Sequence, residues 1–201
     1  MQSLVDTYNQ HVSSGKIQRE EEQERLLTKL DALRVIVEQK QRKFLFSKPP
    51  LAPRGIYVWG GVGCGKSMIM DMFVDSLTVG TRRVHFHSFM QEVQSSLNEA
   101  RRSRIKDALS PVVKQISNAV KVLAFDELQI KDIADAMIVG RLFEALMKKG
   151  LTLVVTSNRA PIDLYKNGLN RDLFIPFIEL INERFDVVEV SDVKDYRQNL
   201  I

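Results

Sequence analysis

Cysteine is nearly absent from this sequence, because only Cys64 occurs among 201 residues. A single cysteine cannot form a disulfide within the chain, which argues against the class of small secreted proteins held together by disulfides. No apolar run reaches the roughly 18 residues of a membrane-spanning helix. The first ten residues, MQSLVDTYNQ, have the pattern of neither a secretory signal nor an Arg-rich transit peptide. We therefore expect a soluble, intracellular protein.

A strong excess of charge of one sign is also lacking, since 29 Lys and Arg residues face 25 Asp and Glu residues. The basic residues are concentrated at 40–43, 82–83 and 101–106. Such clusters are compatible with phosphates or acidic partners, and equally with solvated helix faces. Charge alone therefore assigns no partner.

Hydrophobic periodicity predicts a helix followed by an α/β core. From position 19 to about 46, apolar residues recur at helical spacing: Leu26, Leu30, Leu33 and Val37. The segment SKPPLAPRG ends this amphipathic helix. We expect residues 1–53 to form a helical segment with a Pro-rich linker and residues 54–201 to form the core.

Five apolar segments are strand candidates, separated by stretches long enough for helices. The first begins at Ile56, and the other four cover residues 83–86, 120–125, 151–156 and 185–190. Strands that alternate with helices indicate a parallel α/β sheet.

A glycine-rich loop follows the first strand candidate. Its sequence GGVGCGKS matches the phosphate-loop pattern G-x-x-x-x-G-K-[ST] and stands between a strand and a helix. Backbone N–H groups of such a loop and the helix N-terminus bind phosphate oxygens. Lys66 would contact the β- and γ-phosphates, and the Ser67 hydroxyl would ligate Mg²⁺. The alternative is a chance match in a glycine-rich turn. The predicted nucleotide-binding residues are Gly60, Gly61, Val62, Gly63, Cys64, Gly65, Lys66, Ser67 and Met68.

Two acidic residues end the third strand candidate, in the sequence KVLAFDE. Asp126 is placed to hold magnesium, often through water, and Glu127 to polarise an attacking water. Taken alone, such a pair is more often a loop start or a helix cap. Downstream of a phosphate loop, the pair predicts a hydrolysis site.

The sequence LTLVVTSN is another apolar strand candidate that ends in polar residues. In a parallel sheet of this class, a strand between the phosphate-loop strand and the acidic strand would direct Asn158 at the γ-phosphate and the attacking water. Ser157 and Asn158 could instead cap the next turn. The order of the motifs favours the first role.

Together these motifs resemble the core of AAA+ ATPases. Longer runs are similar to the ZapE family, which contains a bacterial division-ring ATPase and its mitochondrial AFG1-like relatives: YVWGGVGCGKSMIMDMF, RRVHFHSFM, FDELQIKDIADAMIVGRLF, TSNRAPIDLYKNGLNRDLFIPFIELI and DYR. The resemblance implies a P-loop NTPase fold of the AAA+ type. Its five-stranded parallel sheet would have the order 5-1-4-3-2, with helices on both faces.

The resemblance implies a Mg²⁺-dependent ATPase that binds ATP and ADP and assembles into a ring of identical subunits. Bacterial members act in the cytoplasm on the division protein FtsZ, and mitochondrial members act in protein quality control. The implied function is therefore ATP-driven remodelling of a protein partner. Two other classes stay open. One is a nucleic-acid-associated ATPase of the helicase-loader type, supported by the basic run at 101–106 and a pI near 9.2; the other is a nucleotide-binding scaffold with little turnover.

Further site residues follow from the resemblance alone. In AAA+ rings an arginine of one subunit stabilises the γ-phosphate charge in its neighbour's site, in the manner of an arginine finger. The resemblance assigns this role to Arg171, with Arg184 and Arg159 as alternatives; an ion pair on the surface or within the chain would also explain Arg171. Ile17 and Gln23, in GKIQREEEQ, would lie beside the adenine.

Family members continue beyond DYR into a helical lid that carries a second arginine. This sequence stops at Ile201, so we expect it to lack the lid. Without the lid, nucleotide retention, ring assembly and turnover should all be weaker.

Overall fold

Alternating strands and helices build an open sheet in the computed structural model, which describes residues 3–39 and 52–191. The strands are β1 (Gly55–Trp59), β2 (Thr81–His85), β3 (Val122–Asp126), β4 (Thr152–Ser157) and β5 (Phe185–Glu189). The helices are α1 (Leu4–Ser13), α2 (Glu21–Glu38), α3 (Lys66–Ser76), α4 (Phe86–Arg102), α5 (Leu109–Ala119), α6 (Ile133–Lys148) and α7 (Ile175–Arg184). Two short 3₁₀ turns, Pro161–Asp163 and Arg171–Leu173, lie between β4 and α7.

The sheet is parallel throughout, in the order β2-β3-β4-β1-β5. This confirms the predicted order 5-1-4-3-2, and it puts β4 between the phosphate-loop strand and the acidic strand. In the register, Trp59 of β1 is level with Ser157 of β4, and His85 of β2 is level with Asp126 of β3. The motifs that follow β1, β3 and β4 therefore meet at one edge of the sheet.

Side chains alternate between the two faces of the sheet, and helices cover both faces. On the aromatic face, named here for its phenylalanines, Tyr57, Leu123 and Val155 pack with residues of α4, α5, α6 and α7. On the N-terminal face, Ile56, Val58, Val122, Ala124 and Val154 pack with residues of α1, α2 and α3. The alternation follows from the two-residue period of a strand. It gives this part of the chain two apolar layers, one on each side of the sheet.

Helix α1 was not predicted from the sequence. Ser3 caps it, because the Ser3 hydroxyl accepts from the Asp6 backbone N–H at 3.0 Å and the Asp6 carboxylate accepts from the Ser3 N–H at 3.3 Å. Only Leu4 and Tyr8 of this helix are buried. The helix has only ten residues, fewer than the roughly 11–18 over which a helical repeat is recognised, which explains the omission.

Helix α2 confirms the predicted amphipathic helix, with boundaries that differ from the prediction. It begins at Glu21 rather than Arg19, and within the described residues it ends at Glu38. Leu26, Leu30 and Leu33 are buried, as their spacing predicted. The remainder of the predicted helix, the basic residues at 40–43, Pro49, Pro50 and the DYR run lie outside the described residues.

Strand β2 ends earlier than predicted, because Phe86 begins helix α4. The Phe86 ring packs edge-on against Phe125 with centroids 5.8 Å apart, so its burial is on the aromatic face rather than in the sheet. Within 3–39 and 52–191, none of the helices combines the length and the apolar character that crossing a membrane requires.

Candidate nucleotide-binding site

A cavity of about 270 Å³ opens at the carboxyl edge of the sheet. Three segments that are far apart in sequence meet in it: the loop after β1 with the start of α3, the residue after β3, and the end of β4. The residues that line it are Val62, Gly63, Gly65, Lys66, Ser67, Met68, Glu127, Thr156, Ser157 and Asn158. Most of the residues predicted from the three motifs therefore share one cavity.

The phosphate loop needs glycine at two positions for steric reasons. A Cβ atom on Gly60 would lie 1.9 Å from the Val190 carbonyl oxygen, and one on Gly65 would lie 2.7 Å from Nε2 of Gln23. Gly65 also has φ of +82° at the start of α3, a conformation that glycine adopts readily. The loop is thus packed tightly against both β5 and α2.

Polar contacts hold the Lys66 side chain within the loop. Its ammonium group donates to the Gly60 carbonyl at 2.8 Å and to the Gly61 carbonyl at 2.7 Å. The buried Cys64 thiol donates to the same Gly61 carbonyl at 3.1 Å. A cation and the N-terminus of α3 therefore adjoin the cavity together, which is the electrostatic setting that polyphosphates require.

The acidic pair after β3 divides into two differently placed carboxylates. Glu127 lines the cavity, and its φ of +56° turns the chain sharply away from the strand. Its backbone N–H donates to the Thr156 hydroxyl at 3.1 Å, which fixes this turn to β4. Asp126 is buried and is not among the described residues that line the cavity. The Asp126 carboxylate is bound by Arg83.

The polar end of β4 combines a capping residue with a cavity residue. The Ser157 hydroxyl donates to the Leu128 carbonyl at 2.9 Å and accepts from the Arg159 backbone N–H at 3.2 Å, so Ser157 does cap the following turn. Asn158 is exposed and lines the cavity beside Glu127. Its role toward the γ-phosphate stays a prediction.

The oxygen donors fit a magnesium ion that arrives with a nucleotide. Among the residues that the structure describes, no group of three or more His, Cys, Asp or Glu side chains could hold a metal ion. Mg²⁺ usually binds to one or two protein carboxylates and completes its shell with phosphate oxygens and water. The Ser67 hydroxyl and the Asp126 carboxylate are donors of the right kind for such a shared ion.

The three candidate arginine fingers lie outside the cavity of their own chain. Arg171, in the second 3₁₀ turn, donates through Nη2 to the Ile162 carbonyl at 2.5 Å. Its buried Nε has no hydrogen-bond partner among the described residues. Arg159 directly follows Asn158 and is exposed, and Arg184 ends α7. No ion pair to Arg171 is found in the described part of the chain, and its role toward a neighbouring subunit stays a prediction.

The two predicted adenine residues lie on the N-terminal face. Gln23 is buried beneath the phosphate loop, where its Nε2 donates to the Cys64 carbonyl at 3.3 Å. Its Oε1 accepts from the Tyr8 hydroxyl at 3.0 Å. Ile17 is half-buried and packs against the apolar cluster of this face. Neither residue is among the described residues that line the cavity, and their contact with adenine stays a prediction.

Two residues that support the site were missed in the sequence. Tyr8 belongs to the unpredicted helix α1, and no motif marked it. Arg83 could have been found, because strand alternation in RRVH and the alignment of parallel strands bring it onto the same face as Asp126.

Comparisons with known proteins agree with this geometry. The model of the AFG1-like ATPase family matches residues 2–201. Cell division protein ZapE of Escherichia coli is 44% identical over 146 residues, which are 72% of this chain and 38% of that protein. Lactation elevated protein 1 homolog B of Danio rerio is 40% identical over 161 residues, which are 75% of this chain and 32% of that protein. The chain thus spans less than half the length of these curated relatives.

Solved structures share the fold at low sequence identity. The crystal structure of DnaI superposes with a TM-score of 0.58 at 15% identity, covering 87% of both chains. AMPPCP-bound DnaA from Aquifex aeolicus gives a TM-score of 0.57 at 14% identity, covering 94% of this chain and 49% of that one. These similarities support a P-loop NTPase fold of the AAA+ type. With the family model matching over nearly its whole length, the chain belongs to the AFG1-like ATPase family.

Proposed function

We propose that this chain binds ATP with Mg²⁺ and hydrolyses it to ADP and phosphate. The observation that carries the proposal is the shared cavity, in which Glu127 and Asn158 lie beside Lys66 and Ser67. A site that only held a nucleotide would need the last two residues but not an acidic side chain at the same cavity. The family membership supports the same activity.

In this proposal each residue has a separate task. The loop amides and Lys66 bind the phosphates, and Ser67 and Asp126 hold the magnesium ion, which neutralises phosphate charge when it is bound. Asn158 orients a water molecule, and Glu127 accepts a proton from it. The water oxygen then bonds to the γ-phosphorus as the bond to the bridging β–γ oxygen breaks, and ADP leaves with that electron pair.

The Glu127→Gln variant tests the assignment of the base. It keeps the size of the side chain and removes its basicity, so ATP should bind with nearly the parent's affinity while turnover falls by about a hundredfold or more. Binding is measured with a fluorescent ATP analogue and turnover by phosphate release. Lys66→Ala is the companion variant and should lose nucleotide binding itself. Turnover of Glu127→Gln within a few-fold of the parent would refute the role of Glu127.

We further propose that a neighbouring subunit supplies Arg171 and that a ring of identical subunits is the active form. The arginine lies near the exposed apolar side chains of Ile162, Leu169 and Leu173, which would suit a contact between subunits. Support for this step comes from the absence of an ion pair within 4 Å of Arg171 among the described residues. Mixing Arg171→Ala with Glu127→Gln protein tests it, because mixed rings should regain some turnover that neither variant has alone.

The work done with ATP is proposed to be remodelling of a protein partner. The similarity to cell division protein ZapE makes FtsZ the first partner to test if the source is bacterial, with the cytoplasmic division site as the location. A mitochondrial location would apply to a eukaryotic source. Co-sedimentation of Glu127→Gln protein with FtsZ polymers, with and without ATP, tests the partner: ATP-dependent binding is expected, and no binding in either condition would refute FtsZ.

A further inference from the structure

Arg82 and Arg83 are neighbours on β2 that serve opposite faces of the sheet. Arg82 pairs with Glu92 of α4 at 2.6 Å and lies over the Phe89 ring, on the aromatic face. Arg83 turns to the N-terminal face, where it binds Asp126 of β3 and Asp71 of α3. Two chemically identical side chains therefore have different surroundings, and only one of them contacts a residue of the proposed site.

The Arg83 guanidinium binds both oxygens of the Asp126 carboxylate. Nε donates to Oδ2 at 2.6 Å, and Nη2 donates to Oδ1 at 3.2 Å. Two parallel hydrogen bonds of this kind fix the plane of a carboxylate, which a single ammonium group does not. Because the Asp126 side chain is only 10% exposed, water and salt screen the attraction between Arg83 and Asp126 very little.

The same guanidinium also reaches the segment that carries Ser67. Nη1 donates to Asp71, one turn along α3, and Nη2 lies 3.5 Å from the Ser67 carbonyl oxygen. Arg83 thus connects Asp126 on β3 with the first turn of α3. These are the two segments that supply the magnesium ligands in the proposed function.

Arg83 leaves part of the carboxylate available to other groups. A carboxylate offers about four lone-pair sites on its two oxygens, and a bidentate arginine uses one on each oxygen. The remaining lone pairs of Asp126 can then serve a metal ion or its bound water.

We propose that Arg83 is a positioning residue for magnesium: it fixes the plane of the Asp126 carboxylate and links it to the first turn of α3, so that Asp126 and Ser67 would both be in place when Mg²⁺ arrives with the nucleotide. The inference rests on the proposed function, because it assigns the support of that same site. Arg83 acts through Asp126 and not on the nucleotide. Outer contacts of this kind typically change metal affinity by about ten- to a hundredfold when they are removed.

Binding of a fluorescent ATP analogue, measured as a function of Mg²⁺ concentration, tests the proposal without any reaction. Arg83→Lys keeps the charge but loses the paired hydrogen bonds, and Arg83→Gln loses the charge as well. Both should need about tenfold more Mg²⁺ for half-maximal binding, while binding in EDTA stays within about twofold of the parent. Arg82→Gln is the matched control from the other face of the strand, and it should behave like the parent.

Asp71→Asn provides a second variant that keeps the contact between Arg83 and Asp126. It should raise the Mg²⁺ requirement by a smaller factor than Arg83→Lys, because it loosens only the link to α3. If Arg83→Gln does not fold, Arg83→Lys and Asp71→Asn decide the question.

Two results distinguish a failure of the Arg83 role from a failure of the proposed magnesium site. A parent protein that binds the nucleotide equally well with Mg²⁺ and with EDTA would refute the magnesium site itself. If the parent depends on Mg²⁺ but Arg83→Lys needs the same Mg²⁺ concentration as the parent for half-maximal binding, only the role of Arg83 would be overturned.

Discussion

The two faces of the sheet are covered by different kinds of contact. On the aromatic face, rings dominate, and Phe143 alone lies close to four other phenylalanines. On the N-terminal face the apolar layer also contains polar contacts to residues of the predicted site, from Gln23 to the phosphate loop and from Arg83 to Asp126. The aromatic face has partly buried polar contacts too: that of Gln94 with Asp135 joins two helices, and the Tyr57 hydroxyl donates to the Arg159 carbonyl at 2.9 Å. The difference indicates that one face mainly stabilises the sheet while the other also positions the site.

Replacing Phe143 with alanine should have the largest effect, and on stability. Its ring stacks on Phe125 with centroids 5.4 Å apart and meets Phe177 edge-on at 5.2 Å, and it is fully buried. Loss of such a side chain leaves a cavity and costs about 3–5 kcal/mol in the free energy of unfolding. Urea unfolding measures it. Protein that remains folded should bind ATP with nearly the parent's affinity. A loss of affinity comparable to that of Lys66→Ala would contradict the conclusion that the aromatic face mainly stabilises the sheet.

Replacing Gln23 with alanine should have the reverse pattern. The phosphate-loop carbonyl of Cys64 loses a buried donor, which is worth about 1–3 kcal/mol at such a site. We expect part of this free energy to be lost from nucleotide binding, so that the affinity for ATP falls by about tenfold. Titration with the fluorescent analogue measures the affinity. Thr28→Ala is the control on the same helix, because the Thr28 hydroxyl donates to the Glu24 carbonyl at 2.9 Å on the exposed side. Unchanged affinity in Gln23→Ala would remove the support for a link between α2 and the loop.

The smallest expected effect is a pH dependence from the aromatic face. Burial raises the pKa of Asp135, and the hydrogen bond from Gln94 only partly opposes this. Because the pKa is higher in the folded than in the unfolded protein, the stabilising contribution is present at low pH and is lost as the pH rises through the folded value. Asp135→Asn, which cannot ionise, should therefore gain stability relative to the parent as the pH increases from about 4 to about 7. Urea unfolding at several pH values measures this, and a difference that shrinks with rising pH would contradict it.

The sequence predicted the elements whose signals are local. All five strands and their order were correct, and GGVGCGKS marked the phosphate loop because a strand, a glycine-rich turn and a helix stand next to one another in the chain. The family resemblance supplied the order of the strands, which local patterns do not contain. Glu127 and Asn158, which line the cavity, could be singled out because each directly follows a buried strand.

The supports of the site were harder to predict, since each depends on contacts between distant residues. Tyr8 and Gln23 are 15 residues apart, and Arg83 and Asp126 are 43 residues apart. Nothing near Arg83 distinguishes it from Arg82: strand alternation puts the two arginines on opposite faces, and only the register of β2 with β3 shows that Arg83 is the one on the face of Asp126. Gln23 was noted through the family resemblance, but its contact with the Cys64 carbonyl was not expected.

Magnesium-dependent ATP hydrolysis, measured against protein concentration, tests most directly whether this chain hydrolyses ATP at a site that a neighbouring subunit completes. The parent, Glu127→Gln, Arg171→Ala and Arg184→Ala proteins are compared by phosphate release. We expect turnover per chain to rise with concentration in the parent and in Arg184→Ala, because subunits complete each other's sites, and to be lost in the other two variants. Turnover per chain that is independent of concentration and unaffected by Arg171→Ala would contradict a shared site. Turnover that persists in Glu127→Gln would contradict the role of Glu127 as the base.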